Sequence, residues 1–441
     1  MSFQNLPQVD KILNLERFHD AVKPILSEIS REILNEQREL LRQTSSCLSK
    51  DEIIEKIAQK YREYEQTGFV GVINATGVVI HTNLGRSVID EQIYDRAKEL
   101  VCSYSSLEYN LNLGQRGNRY DHISRLLSAL FNSEDALIVN NNASAVFLVL
   151  NTFAKGGETV VSRGELVEIG GSFRVPDVMS ASGTSLKEIG TTNKTKLSDY
   201  ENALNENTKM LLKVHRSNFD IVGFSEDVGI DEIARLAREK NLLDYYDLGS
   251  GYVGELPYNL GKNEPNVSKV LQSGVSLVSF SGDKLFGSVQ CGVILGKKEL
   301  IAKLRKNQLL RMLRVDKVII SLLCESIKAY INKEFTLIPT VNQLYKSTHE
   351  LEILANVINK SLKKELEIYH TSTFVGGGTM PNKNIPSVAL CFEGDAMQNE
   401  ARFRAKRVIG RIENDKFILD LRSVLDKDVN RLIKIINEVA K

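Results

Sequence analysis

The chain has 441 residues, enough for two or three domains, and its 42% hydrophobic and 26% charged residues are ordinary for a globular protein. A net charge of +1 gives no overall sign of a nucleic-acid binder, although a local basic stripe can lie within a neutral total. Five scattered cysteines without a C-x-x-C pair fit a reducing cytosol, and six histidines without ligand spacing argue against a metal site. Because no signal peptide or long apolar run is recognisable, we expect a cytoplasmic protein with no membrane span.

Residues 1–66 are predicted to form a small helical domain. Apolar residues recur mostly at helical spacing from Ile12 to Leu34, where Pro24 is expected to kink or divide the stretch. A second helix is predicted over Lys50–Glu65, with a start signal around Ser49. Acidic residues slightly outnumber basic ones here, so charge alone does not mark this domain as a nucleic-acid binder.

Residues 67–305 are predicted to form a large α/β domain, because β-rich runs alternate with helical ones. The predicted strands are Ala136–Asn140, Thr159–Ser162, Ser185–Ile189, Lys209–His215, Leu242–Asp247, Val275–Ser279 and Cys291–Leu295. This alternation favours a mostly parallel sheet covered by helices on both faces. Ligands of such sheets bind beyond the carboxyl ends of the strands. Polar residues follow four predicted strands and are expected to converge there: Asn140–Ser144, His215–Asn218, Asp247 and Lys284.

Lys284 stands in a short polar loop between two apolar strands, where a long ammonium side chain is unusual unless something pairs with it. One interpretation is a lysine that forms a Schiff base with the carbonyl cofactor pyridoxal phosphate. The other is a hairpin with a solvated lysine in its turn. Asp247, at the end of the preceding strand, suits the carboxylate that keeps the cofactor's pyridine nitrogen protonated, although an ordinary turn aspartate is common.

A third segment opens an apolar helix with small polar residues, whose free N–H groups make either a phosphate site or a plain N-cap: Asn141, Asn142, Ala143 and Ser144. Phosphate site, ring-nitrogen acid and lysine follow the chain order of a large pyridoxal-phosphate domain, and together they favour that cofactor. The residue that stacks on the cofactor ring stays open. Candidates are His215, for which a core role is the commoner outcome, and a residue within Glu168–Phe173.

Three long motifs carry a family resemblance: GVINATGVVIHTNLGR over Gly71–Arg86, EYNLNLGQRGNR over Glu108–Arg119 and FSGDKLFG over Phe280–Gly287. With further matches over Arg163–Met179, Val214–Phe224 and Val408–Arg422, the chain resembles the bacterial L-seryl-tRNA(Sec) selenium transferases, or selenocysteine synthases. The resemblance covers nearly the whole chain. It implies the pyridoxal-phosphate-dependent fold type I, homo-oligomers built as rings of dimers, and an N-terminal domain that recognises tRNA(Sec).

The resemblance also implies an activity, the conversion of L-seryl-tRNA(Sec) to L-selenocysteinyl-tRNA(Sec) with selenophosphate as the selenium donor. Lys284, Asp247 and Asp283 are then the expected catalytic residues. An alternative is a pyridoxal-phosphate lyase that acts on a small amino acid or amino sugar acid, although such relatives generally lack the N-terminal helical module. The intact pair of Lys284 and Asp247 argues against a non-catalytic binding protein.

Four arginines are expected at the substrate. Arg86 ends a polar loop, Arg119 ends a compact Gly/Arg loop, and Arg311 and Arg314 stand three residues apart on a helical run predicted over Leu300–Val315. The resemblance implies that selenophosphate is the donor, and we hypothesise that Arg86, Arg311 and Arg314 hold it through charge-assisted hydrogen bonds. A basic solvated helix face is the alternative.

Residues 306–441 are predicted to form a smaller α+β domain. A helical stretch over Thr340–Leu366 is followed by three strands and a closing helix: Glu367–Phe374, Ser387–Phe392, Phe417–Leu421 and Lys427–Ala440. Arg422 occupies the place where related folds bind a free α-carboxylate. That carboxylate is esterified in an aminoacyl-tRNA, so the need for Arg422 in substrate binding is weaker.

Overall fold

The computed structural model describes residues 6–44, 46–169, 173–262, 264–376 and 378–439. The chain divides into two compact units, Met1–Val72 and Ile73–Lys441. No helix in these described ranges is both long enough and apolar enough to cross a membrane.

The first unit is built from three helices: α1 (Val9–Leu13), α2 (Lys23–Thr44) and α3 (Lys50–Thr67). Its core joins apolar side chains of all three, among them Ile12, Leu26, Ile33, Leu34, Ile53 and Ile57. Ser49 and Glu52 form a reciprocal capping box that starts α3. Pro24 is the second residue of α2, so it does not divide the helix. In this first turn its missing N–H costs no helical hydrogen bond.

Helices of the second unit are α4 (Glu91–Cys102), α5 (Asp121–Phe131), α6 (Asn142–Phe153), α7 (Val175–Ser182), α8 (Leu197–Ala203), α9 (Ile230–Glu239), α10 (Val267–Gln272), α11 (Lys298–Lys306), α12 (Leu310–Leu313), α13 (Lys317–Ile331), α14 (Pro339–Tyr345), α15 (Thr348–Lys360), α16 (Ala396–Ala405) and α17 (Val429–Val439). Two predicted helical stretches are each divided. The run predicted over Leu300–Val315 breaks at Asn307, whose side chain donates to Asn151 and Thr152. The run predicted over Thr340–Leu366 breaks before the capping box of Ser347.

Strands of the second unit are β1 (Ile73–Asn74), β2 (Tyr109–Asn110), β3 (Gln115–Arg116), β4 (Asp135–Val139), β5 (Glu158–Ser162), β6 (Glu168–Ile169), β7 (Phe173–Arg174), β8 (Ser185–Ile189), β9 (Thr208–Val214), β10 (Leu243–Gly249), β11 (Leu277–Ser281), β12 (Gly292–Gly296), β13 (Glu367–Gly376), β14 (Thr379–Phe392), β15 (Val408–Ile409), β16 (Arg411–Glu413) and β17 (Lys416–Asp420). A strand-like run over Val70–Ile80 yields only β1, because the chain turns at Gly77, where φ is +85°.

The central sheet has the strand order β4-β12-β11-β10-β9-β5-β8. All neighbours are parallel except β12, which runs antiparallel to both β4 and β11. Every residue of β4, β11 and β12 is buried, which explains why these strands read as continuous apolar runs. The predicted fold class, an α/β domain around a mostly parallel sheet, is confirmed.

A second sheet, of strand order β13-β14-β17-β16, is antiparallel throughout and packs on α15. The start of the second unit joins this region, because β1 pairs in parallel with β15 and the backbone N–H of Asp420 donates to Ala75. The apolar core beneath this sheet is separate from the core of the central sheet.

Arg422 is fully buried and its guanidinium is occupied by backbone carbonyls. One terminal nitrogen donates to Gln343 O at 2.9 Å and Lys346 O at 2.8 Å, and the other donates to Pro386 O at 2.5 Å. The guanidinium carbon also lies 5.4 Å from the centre of the Tyr258 ring. These contacts give Arg422 a structural role in joining α14, β14 and the end of β17.

We expect Arg422→Lys to lower the free energy of unfolding by about 2–4 kcal/mol, because one ammonium group cannot satisfy carbonyls on both sides. Urea unfolding measures this, with Arg404→Lys as the control. Arg404 is exposed and bonds Glu400, so its change should stay below about 0.5 kcal/mol. Equal effects of the two substitutions would contradict the structural role.

Candidate active site

Two neighbouring parallel strands place the predicted lysine and aspartate at the same edge of the sheet. Asp247 lies near the end of β10, opposite Ser279 of β11, and Lys284 lies in the turn that follows β11. Both residues are buried, with 4% and 5% of their surfaces exposed. The turn is tied to the end of β10 by the Leu285 N–H, which donates to Ser250 O at 2.9 Å.

Lys284 ends in a small space beside two glycines. A methyl group added at Gly249 would lie 4.0 Å from Nζ, and one added at Gly378 would lie 3.9 Å from it. Among the described residues, Nζ makes no hydrogen bond or ion pair. Burial, helped by the nearby Arg86, lowers the pKa of Lys284, while Asp247 and Asp283 oppose that change. An amine with a lowered pKa is available as a nucleophile and as a base.

Asp247 is held by two donors on one of its oxygens. Oδ1 accepts from Asn142 Nδ2 at 2.7 Å and from the Gly249 N–H at 3.2 Å, whereas Oδ2 has no hydrogen bond within the described part of the chain. Burial raises the pKa of Asp247, and the bond from Asn142 and the charge of Lys284 act in the opposite direction. Oδ2 of Asp247 is therefore available to accept a hydrogen bond from a protonated ring nitrogen.

The predicted phosphate segment forms the N-terminus of α6. Asn141 is the N-cap, and its side chain accepts from the Ser144 N–H at 2.8 Å. The N–H groups of Asn142 and Ala143 at the first turn point out of the helix end, where phosphate binds favourably. Gly292 of β12 passes so close that a methyl group there would lie 2.2 Å from Asn141 O. The segment thus forms an N-capped helix N-terminus with free N–H groups, and its role in holding phosphate stays a prediction.

Two buried amide oxygens at this place have no hydrogen-bond partner: Oδ1 of Asn142 and Oδ1 of Asn218. Asn218 follows β9 and lies near the amine of Lys284, since a methyl group added at Gly378 would lie 3.6 Å from Asn218 Cβ and 3.9 Å from Lys284 Nζ. A free amine, a carboxylate with one open oxygen, a helix N-terminus and unpartnered amide oxygens fit pyridoxal phosphate. Asn218 was predicted only as the last residue of the polar run His215–Asn218 after a strand, and no separate role was assigned to it.

His215 is fixed by the backbone of β10. Its backbone N–H donates to the backbone carbonyl of Asp247 at 2.8 Å. Its ring nitrogen Nδ1 lies 3.2 Å from the carbonyl oxygen of Leu248. Burial lowers the pKa of His215 to about 4, so the imidazole is neutral near pH 7. Its role in stacking on the cofactor remains a prediction, as does the alternative within Glu168–Phe173, where residues 170–172 lie outside the described residues.

Arg86 and Asp283 form an ion pair next to Lys284. Arg86 Nη1 donates to Asp283 Oδ2 at 2.8 Å, and the other carboxylate oxygen of Asp283 is buried without a partner. Arg86 has φ of +63°, an uncommon backbone conformation for a residue with a side chain. The pair keeps a cation beside the amine, which explains part of the lowered pKa of Lys284.

The other three predicted arginines lie together elsewhere. Arg119, Arg311 and Arg314 line a cavity of about 350 Å³, and Arg86 is not among its lining residues. Arg119 is used internally, since it bonds Glu108 and donates to Val315 O at 2.6 Å. The guanidinium groups of Arg311 and Arg314 make no hydrogen bond or ion pair with any described residue. Arg314 caps α12 in an extended conformation, so the two are not on one continuous helix face as predicted.

A model of the protein family described as "SelA: L-seryl-tRNA selenium transferase" matches residues 72–425. The chain belongs to this family. Proteins named L-seryl-tRNA(Sec) selenium transferase are similar over 99% of this chain. The one from Campylobacter concisus (strain 13826) is 63% identical, and the match covers 98% of that protein. The one from Sulfurimonas denitrificans is 52% identical, and the match covers 99% of that protein.

A solved structure titled "Structure of D-Glucosaminate-6-phosphate Ammonia-lyase" has the same fold, with a TM-score of 0.62 and 19% sequence identity. The match covers 86% of this chain and 98% of that chain. The resemblance seen in the sequence motifs is thus confirmed at the level of the family and of the fold. Within the residues that the structure describes, no group of His, Cys, Asp and Glu side chains is arranged to hold a metal ion.

The lowered pKa of His215 predicts a loss of stability in acid. A histidine that stays neutral in the fold contributes stability above its ordinary pKa of 6.5, and this is lost as the pH falls toward about 4. We expect the loss to be about 3 kcal/mol and to be absent in His215→Asn. Urea unfolding between pH 7 and pH 4 measures it. His370→Asn, at an exposed histidine, should behave like the wild type, and a His215→Asn curve parallel to the wild type would contradict the assignment.

Proposed function

We propose that this protein converts L-seryl-tRNA(Sec) to L-selenocysteinyl-tRNA(Sec) with pyridoxal phosphate as cofactor and selenophosphate as selenium donor. The observation that carries the proposal is the meeting of Lys284 and Asp247 at adjacent strand ends, in a chain of the selenium transferase family. The alternative lyase activity is not favoured, because relatives named as selenium transferases match the chain from end to end.

The cofactor, when bound, withdraws the electrons left at the substrate's Cα after proton removal. Asp247 provides a carboxylate oxygen for the ring nitrogen and is itself oriented by Asn142. The N-terminus of α6 would hold the phosphate group through backbone N–H groups. Lys284 would hold the aldehyde end, and its amine, once free, would take the α-proton, for which its lowered pKa suits it.

Asp283 and Arg86 lie next to Lys284. Asp283 orients Arg86 through their ion pair, and its other carboxylate oxygen is buried without a hydrogen-bond partner. In the overall reaction a C–Se bond replaces the C–O bond at Cβ and the hydroxyl leaves as water. The donor's P–Se bond breaks, and a water molecule takes up the phosphoryl group to give phosphate. The site therefore has to hold a doubly charged donor close to the seryl group.

Arg311 and Arg314 supply guanidinium groups suited to such a donor, because neither forms a hydrogen bond or ion pair with a described residue, although Glu108 lines the same cavity and interacts electrostatically with Arg314. Arg86 lies at Lys284 and outside their cavity. We therefore propose a donor site that combines Arg86 with Arg311 and Arg314 from a second copy of the chain, in a homo-oligomer of dimers. The proposed location is the cytoplasm, and the first unit, through the predicted domain 1–66, is proposed to bind tRNA(Sec). The large domain 67–305 and the C-terminal domain 306–441 remain predicted divisions.

The proposed activity is tested with purified Ser-tRNA(Sec) and selenophosphate, followed by analysis of the esterified amino acid. Selenocysteine should form with the wild type, and Lys284→Ala should lower turnover by about 10³-fold or more, because it removes both the attachment point and the base. Lys269→Ala, at an exposed lysine of α10, is the control. Free serine should not react. A Lys284→Ala enzyme with wild-type turnover would refute the mechanism.

The donor site is tested by the apparent KM for selenophosphate. Removal of one guanidinium from the site should raise this KM by about 10-fold or more, since each charge-assisted hydrogen bond contributes about 1.5–3 kcal/mol. Arg86→Ala, Arg311→Ala and Arg314→Ala are compared with Lys303→Ala, an exposed cation of α11. If all three arginine variants keep the wild-type KM, the assignment is wrong. A changed KM for the tRNA alone would also contradict it.

A further inference from the structure

A buried carboxyl group next to the cofactor site has no role in the mechanism above. Glu264 lies in the segment between β10 and α10, and only 3% of its side chain is exposed. Its Oε1 accepts a hydrogen bond from Ser250 Oγ. Its Oε2 lies 3.8 Å from His215 Nε2. A buried carboxyl group costs free energy unless it is paired or protonated, so these partners require an explanation.

The proton positions follow from the partners of His215. Nδ1 faces the carbonyl of Leu248 and therefore carries the proton of the neutral ring, which leaves Nε2 as an acceptor. A protonated Glu264 can donate to Nε2 after the two atoms approach by less than about 1 Å. Burial raises the pKa of Glu264 to about 7 and lowers that of His215 to about 4, which agrees with one proton on the carboxyl group.

Two cations and two further titratable groups face Glu264 from the surrounding elements. Lys284 after β11 and Lys383 of β14 both favour the carboxylate form. Lys383 is held in place by the carbonyls of Leu260 and Lys262, close to the segment of Glu264. Tyr246 and Tyr252 of the neighbouring backbone also interact electrostatically with Glu264. The charge on Glu264 is thus coupled to the charge on Lys284.

A polar cavity of about 680 Å³ gives Glu264 and His215 a route for proton exchange. It is lined by both residues together with three cations, Lys213, Arg216 and Lys383. Two of these cations are already paired, Lys213 with Glu165 at 2.8 Å and Arg216 with Asp227 at 3.2 Å. Water in this cavity can therefore reach the carboxyl group without passing Lys284.

We propose that Glu264 is a positioning residue for the reaction. It shares a proton with His215, accepts a hydrogen bond from Ser250, and by its own charge changes the electrostatic environment of the Lys284 nitrogen. The inference rests on the proposed function, because it assumes that Lys284 holds the cofactor. When Glu264 is ionised it stabilises a positive charge on the Lys284 nitrogen, and when it is protonated it does not. It acts through Ser250, His215 and Lys284, and touches no reacting atom itself.

The test is a pH titration of the visible absorbance of the bound cofactor in the holoenzyme. In Glu264→Gln the midpoint should fall by about one pH unit, the order expected when one charge several ångströms away is removed at an effective dielectric constant of about 20. Ser250→Ala should shift the midpoint in the same direction by less, because it removes a hydrogen bond that favours the carboxylate. Glu255→Gln, at an exposed glutamate of the same segment, should leave it unchanged.

A Glu264→Gln enzyme with the wild-type midpoint and a lower melting temperature would overturn the proposal and leave Glu264 a purely structural role. If Glu264→Gln does not bind the cofactor, Ser250→Ala decides, since it keeps the carboxyl group, and an unshifted midpoint there also overturns the proposal. A wild type that never takes up pyridoxal phosphate would refute the proposed function itself, which separates the two failures.

Discussion

The parallel pairing of β10 with β11 is the constraint on which the site depends. In this register Asp247 lies opposite Ser279 and Gly249 opposite Phe280, with an irregularity between the two pairs. Successive side chains of a strand point to opposite faces, so a slip of one residue would turn Asp247 away from Lys284. Gly249, with φ of +68°, lets the chain turn at this point. The buried apolar residues of both strands therefore determine the geometry of the proposed catalytic pair, Asp247 and Lys284.

Burial changes the ionisation of the whole site in one direction, toward the neutral forms. It lowers the pKa of Lys284 and His215 and raises the pKa of Asp247 and Glu264. The amine gains reactivity from this, but unpaired buried charges reduce the stability of the fold. Asp247 is the proposed partner of the cofactor's ring nitrogen and Lys284 the proposed partner of its aldehyde, so cofactor binding should stabilise the protein as well as complete the site.

Much of the central sheet could be predicted from the sequence, because strands buried on both faces leave continuous apolar runs. The polar residues at their ends, such as Lys284 and Asp247, follow from the same pattern. Glu264 gives no such signal, since it lies in an irregular segment and becomes a site residue only through contacts with Ser250 and His215. The break at Asn307 likewise depends on partners distant in the sequence.

The arginines show why the sequence alone could not tell which positive charges are already paired with a carboxylate of the protein. Arg119 and Arg86 carry the same charge as Arg311 and Arg314, but carboxylates neutralise the first two, Glu108 for Arg119 and Asp283 for Arg86. Asp283 holds Arg86 in place beside the lysine, whereas the guanidinium groups of Arg311 and Arg314 form no hydrogen bond or ion pair with the described residues. In the proposed donor site, the charge of the dianion is balanced by Arg86 together with these two groups from a second copy of the chain. The donor then binds close to the amine without drawing a proton onto it, and the amine has to stay neutral to act as a base.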